Sequence, residues 1–320
     1  MKNFIITVLC LGLITFIVIN ANKYSDLIAN KITDNHTLII KDKNEYAKNT
    51  DFLFVSLNNS YIPFSYNDLL NIIYTVINNG WDTFTFYCPS EYTDCISDIE
   101  KISKDEVTLT HINNYVHPFN SFTMLSTSMS DSGEITLKVK HVYTEDQIKA
   151  INTEIERIMS LVLNNKNSTY DNIKAMHDYI INTTKYDQVS SSEEVTASSI
   201  AYGALFDHLA TCNGYTDTMA IFLDKIGVKN FKIATTSEDL KNSETGHVWN
   251  AVYLNNKWLH MDLTWDDPVS NTGEDYLYHK YFLVTTEEMQ KADAGEVNIE
   301  EHNFNKKYYL EFNEKSQNLI

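Results

Sequence analysis

The chain has 320 residues, 43% hydrophobic and 21% charged, which suits a globular protein with room for two domains of ordinary size. A formal charge of -18, spread along the chain rather than gathered in a tail, argues against nucleic acid or an anionic lipid surface as a partner.

Lys2 precedes a largely apolar run, Phe4–Ile19, followed by Asn20, Ala21 and Asn22. Residues 1–22 read as a signal peptide cleaved at Ala21 or as an uncleaved membrane anchor, and no second run of that length follows. The rest of the chain is then expected outside the cytoplasm, secreted or held at the cell surface, touching membrane only through that segment. Cys88 and Cys95 are close enough in sequence to close a small disulfide loop in an oxidising compartment, or else are two buried thiols. Cys10 belongs to the apolar run, so Cys212 is left without an obvious partner.

Residues 36–142 alternate strand and helix signals. His36–Lys41, Asp51–Leu57 and Thr83–Tyr87 read as strands, and Tyr66–Asn78 and Thr93–Ile102 as helices. Met124–Ser130 and Glu134–Val142 close the segment as a hairpin around Asp131-Ser132-Gly133. This is a small α+β domain of unassigned role, without a catalytic cluster. A second domain, 143–320, begins near Tyr143. Thr144 with Gln147 makes a capping box, and Ile148, Ile151, Ile155, Ile158, Met159 and Val162 follow at helical spacing. A further helix carries Ile173, Met176, Ile180 and Ile181, and His177 beside that stripe reads as a packed residue without chemistry.

Cys212 opens the next helical pattern, with Tyr215, Met219, Phe222, Leu223 and Ile226 as its apolar face and Gly227 as its stop. A thiol at a helix N-terminus meets unpaired amide N–H groups, which favour thiolate and can hold an oxyanion, while Gly214 permits close backbone approach. His247–Leu254 and Trp258–Trp265 read as strands joined by a tight Asn255-Asn256 turn. If Leu254 faces Lys257, His247 faces Thr264, and Asp262 lies on the same face as His247. A cysteine, a histidine and a carboxylate in that order suggest acyl transfer through a thioester.

The stretches His177-Asp178-Tyr179-Ile180, Lys185-Tyr186-Asp187, Tyr202-Gly203-Ala204-Leu205, Cys212-Asn213-Gly214-Tyr215, His247-Val248-Trp249-Asn250 and Asp262-Leu263-Thr264-Trp265-Asp266-Asp267-Pro268 carry a resemblance. From about Tyr143 to His302 the chain resembles the transglutaminase-like superfamily, in particular its exported bacterial members. The resemblance implies a papain-like α+β fold, a helix bearing the cysteine packed on an antiparallel sheet. It also implies Cys212 as nucleophile, His247 as general base and acid, and Asp262 as the orienting carboxylate. Tyr202, ten residues before the nucleophile, could supply a hydroxyl to the oxyanion or substrate, or simply pack. Trp249, Trp258 and Trp265 read as core and site wall. Asp266 and Asp267 before Pro268 read as a turn rather than a cation site, so no metal or cofactor is expected.

The expected substrate is an amide of surface protein or cell-wall peptide, with hydrolysis slightly ahead of crosslinking. The rival reading is a catalytically silent module that binds peptide or glycan at the surface.

Overall fold

Ser65 starts the first helix, α1 (Tyr66–Asn78), by accepting the Asp68 amide N–H on its side chain. From Leu69 onward every residue of α1 but Asn71 is buried, so this helix is the axis of the N-terminal half. The structure is a computed structural model, and it describes residues 38–130, 133–189, 195–236, 239, 246–269, 276–295 and 301–313. The apolar segment 1–22 lies outside the described residues; among the described residues no helix is long and apolar enough to cross a membrane.

After α1 come β1 (Thr83–Tyr87), α2 (Cys95–Lys104), α3 (Glu106–Asn113), β2 (Phe122–Met129) and β3 (Glu134–His141). The three strands form an antiparallel sheet in the order β1-β3-β2. Two expected strands do not appear among the described residues. Residues 38–41 and Asp51–Leu57 carry no ladder, although Phe52 and Val55 are buried. Side chains take the backbone amides instead: Leu53 donates to Glu311, Ser56 to Asn71 and Leu57 to Asp51. The two buried residues are three apart rather than alternating, and with these amides engaged the segment runs as an irregular strap.

Cys88 and Cys95 are disulfide-bonded across seven residues, fastening the end of β1 to the first residue of α2. Replacing both with alanine should lower unfolding free energy by about 2–3 kcal/mol, the chain-entropy cost of so small a loop. Denaturant titration of parent and double variant checks this, and equal midpoints would show that the bond constrains nothing.

The capping box between Thr144 and Gln147 opens α4 (Glu145–Val162), and Ser168 with Asp171 forms another before α5 (Thr169–Thr183). Short parallel strands β4 (Lys185–Tyr186) and β5 (Leu209–Ala210) bring the chain to α6 (Cys212–Lys225). An antiparallel meander then follows, β6 (Asn230–Ala234), β7 (Val248–Leu254) and β8 (Lys257–Met261). Leu254 does face Lys257, and Asn255 and Asn256 both take positive φ, the geometry of the tightest hairpin turn. The last strand stops at Met261, short of Trp265, and Asp262 caps a one-turn helix, α7 (Leu263–Asp266). Thr286–Asp293 forms α8.

The meander is covered on both faces. Phe231, Ile233, Trp249, Ala251 and Trp258 join the core built on α1, β1 and β3, which also holds Tyr309 and Phe312. Val252 and Met261 join the core of α4, α5 and α6. Neither core stops at Tyr143. Tyr309 sits at the junction, its hydroxyl accepting from the Asn114 side chain and the Ala234 amide and meeting His111 Nδ1 at 2.8 Å.

Candidate active site

Thr211 is the N-cap of α6 and Cys212 its first helical residue, so the half-buried thiol stands among the unpaired N–H groups of the first turn. The turn is crowded. A Cβ on Gly214 would lie 2.3 Å from the Ser198 carbonyl oxygen, so only glycine fits without displacing that backbone. Thr216, Asp217 and Thr218 of this helix are buried. Thr216 donates to the Val248 carbonyl, Thr218 to the Gly214 carbonyl, and Asp217 accepts from Lys232 and Tyr143. The helix is central, with protein on all sides, and its polar groups are satisfied internally.

His247 sits one residue before β7. Its N–H donates to Thr235 Oγ1 at 2.8 Å and its carbonyl accepts the Thr235 N–H, extending the meander by one pair. The imidazole Nε2–H donates to Asp262 Oδ2 at 2.5 Å, and the Cys212 sulfur is close enough to favour the charged ring. With Nε2 committed to the carboxylate, Nδ1 is the nitrogen left for sulfur. Asp262 Oδ1 accepts the amides of Thr264 and Trp265 at 2.8 and 3.2 Å, which fixes the carboxylate in the plane it presents to His247.

Burial alone would push the His247 imidazole down, but the adjacent Asp262 carboxylate and the Cys212 sulfur carry it well above the usual histidine range. Burial likewise opposes the charge on Asp262, and His247 with His302 outweighs it, holding the carboxyl well below the usual range. The site is therefore built around a charged imidazolium and a charged carboxylate, the state a thiolate partner needs.

The structure thus brings together the three residues expected to act. Trp249 lies fully buried beneath them, its ring stacked 5.8 Å from that of His247 and its indole N–H given to His260 Nδ1. Trp265 is half-buried, donating its indole N–H to Glu301. Trp258 is core, under Phe231 and Tyr253. Tyr202 packs its ring on Phe206 at 4.6 Å. Tyr186 stands nearer Cys212: its strand pairs Ala210, two residues before it. Burial, then the negative charge of Cys212, Glu301 and Asp262, pushes its phenol up to about 12, so it keeps its proton. Its place in Lys185-Tyr186-Asp187 was a signal, but nothing in the spacing linked it to Cys212.

Asp266 and Asp267 serve structure. Tyr215 donates to Asp267 Oδ2 and the Tyr281 amide to Asp266 Oδ1. His177, fully buried, lies with Nδ1 3.0 Å from Asp178 and Nε2 3.3 Å from Asp266, tying α5 to α7. Among the described residues two groups are close enough to suggest a cation, His177-Asp178-His279 and His247-Asp262-His302. In the first, Asp178 is already paired with Lys174 and both histidines. In the second, Asp262 Oδ2 lies 2.5 and 3.0 Å from the two imidazole nitrogens, both hydrogen-bond lengths.

Residues 156–263 match the model of the transglutaminase-like superfamily, a span that contains all three residues. The kyphoscoliosis peptidase of Mus musculus is 21% identical over 145 residues, covering 42% of this chain and 22% of that protein. The chain thus spans about a fifth of the length of that curated relative. Among solved structures, a transglutaminase aligns over 45% of each chain at 18% identity with a TM-score of 0.30. A candidate cysteine protease from Cytophaga hutchinsonii aligns over 44% of this chain and 61% of its own, at 12% identity and a TM-score of 0.29. With the family match enclosing a helix-borne cysteine set against a histidine-bearing antiparallel sheet, the chain carries a transglutaminase-like domain of α+β fold.

Proposed function

We propose that the protein is a thiol enzyme that cleaves amide bonds of peptide or protein through a thioester on Cys212, with hydrolysis its main outcome. The arrangement that carries this reading is the line from Cys212 through His247 to Asp262, with the ring charged and its Nδ1 left for the sulfur. The thiolate adds to the amide carbon, and the carbonyl electrons move onto oxygen beside the first-turn amides of α6. Collapse of that adduct expels the amine, which takes the proton from His247 Nδ1. Neutral His247 then draws a proton from water as it attacks the thioester, and the acid leaves with the thiolate restored. A lysine amine in place of water gives a crosslink. The name of the mouse relative, a peptidase, supports hydrolysis. The Cys88–Cys95 bond supports work in an oxidising, extracytoplasmic setting, where surface protein or cell-wall peptide is the accessible substrate.

Incubation with a glutamine-containing peptide library and a labelled primary amine separates the outcomes. Free acid in excess of amine adduct, both lost in Cys212→Ala, is the expected result. Adduct in excess would reassign the main activity to transfer. Turnover unaffected by Cys212→Ala would overturn the thiol mechanism.

A further inference from the structure

Asp262 has a second imidazole on it. His302 Nε2 lies 3.0 Å from the same Oδ2 that receives His247, and His302 Nδ1 lies 2.7 Å from Asp293 Oδ1. Carboxylates only accept, so a ring with a carboxylate on each nitrogen donates from both and is an imidazolium. Its side chain is 1% exposed and packs among the rings of Trp249, Trp265 and Tyr281. Asp293 ends α8 and, with His302, lines a cavity of about 270 Å³. Both residues lie beyond the span matched to the superfamily.

We propose that His302, oriented by Asp293, is a positioning residue of the thiol site: it holds the same Asp262 oxygen that His247 meets and shares its negative charge. This rests on the thiol mechanism above. Two imidazoles compete for one carboxylate oxygen, and the charged rings lie 5.5 Å apart, centre to centre. Each therefore weakens the other's hold on its proton. His302 is faced by Asp262 below and Asp293 from α8. His247 lies on the β7 side, His260 of β8 feels its charge, Lys306 lines the same cavity, and neighbouring Glu301 is held by the Trp265 indole. His302 thus keeps His247 from binding its proton too tightly to release it to a leaving amine.

The test is the pH dependence of Cys212 alkylation by iodoacetamide, read with kcat and KM on a cleaved peptide. The alkaline inflection in the parent reports His247 losing its proton. His302→Gln keeps an N–H on Asp262 without the charge and should move that inflection up by about half to one pH unit, a roughly 3–10-fold change in protonated fraction on that limb. Asp293→Asn leaves the reacting groups untouched and should move it the same way by less, which keeps the test open if His302→Gln folds poorly. His302→Leu should lower kcat at least about tenfold with KM nearly unchanged, because it removes both the N–H that holds Asp262 and the charge beside it. Inflections at the parental pH in both His302→Gln and Asp293→Asn, with only thermal stability reduced, would make the pair purely structural while leaving the thiol mechanism standing. A parent thiol that alkylates like free cysteine, with no alkaline inflection, would bring down the mechanism and this role together.

Discussion

Cys212→Ala should fold as the parent does and lose at least about a thousandfold in turnover, the scale seen when a nucleophile is removed from a thiol or hydroxyl site. In the proposed mechanism sulfur is the one group that forms the covalent intermediate, and His247 and Asp262 only prepare and relieve it. Alanine is also the best helix former and the position is half-buried, so little packing is lost. His247 keeps its bond to Asp262, leaving no buried donor stranded. Rates on a cleaved peptide, measured beside thermal unfolding, check both halves. Residual activity within tenfold of the parent would place the nucleophile elsewhere.

Asp262→Asn should be nearly as damaging to rate and far worse for stability. An asparagine oxygen that keeps the Thr264 and Trp265 amides turns its NH₂ toward the two imidazoles. His247 must then accept at Nε2, which places its proton on Nδ1 against the sulfur, the wrong tautomer for a base. A loss in kcat of about 10²–10⁴-fold is expected from that inversion. Removing one partner of a buried charge cluster costs about 3–5 kcal/mol as well. The pH dependence follows from the directions of the shifts. Asp262 is depressed, so its contribution is present above its unfolded value near 4 and is lost as pH falls through the folded one. His247 and His302 are raised, so theirs is complete below about 6.5 and is lost as pH rises through the folded values. The parent's advantage over Asp262→Asn should therefore be greatest between those limits and shrink toward both acid and alkaline pH. Denaturant unfolding from mildly acid to alkaline pH measures it, and parallel curves for the two proteins would refute the coupling.

Local signals in the sequence were faithful where one element decides its own geometry. The capping box at Thr144, the helix beginning at Cys212 and the paired asparagines at 255 and 256 all appear as the residues require. The Asp262 carboxylate reaches His247 as expected, but by another route. The apolar alternation of Leu263 and Trp265 extends the expected strand, whereas the chain turns helical there because Asp262 captures two amides ahead of it. Polar residues inside α6 could not be read as buried, since their partners Val248, Lys232 and Tyr143 are distant in sequence. His302 was invisible for the same reason: a lone histidine outside any helix or strand, forty residues past the carboxylate it holds, has no period to betray it.

The meander bearing His247 is walled on one face by residues that precede Tyr143. Shortening the chain to its thiol-bearing part would leave Phe231, Trp249 and Trp258 facing water, at about 1.5–3 kcal/mol for each large side chain uncovered. It would also strip Tyr309 of its Asn114 and His111 partners. The N-terminal half is thus no exchangeable cartridge. A protein with the same sheet but without this half would need another wall for it.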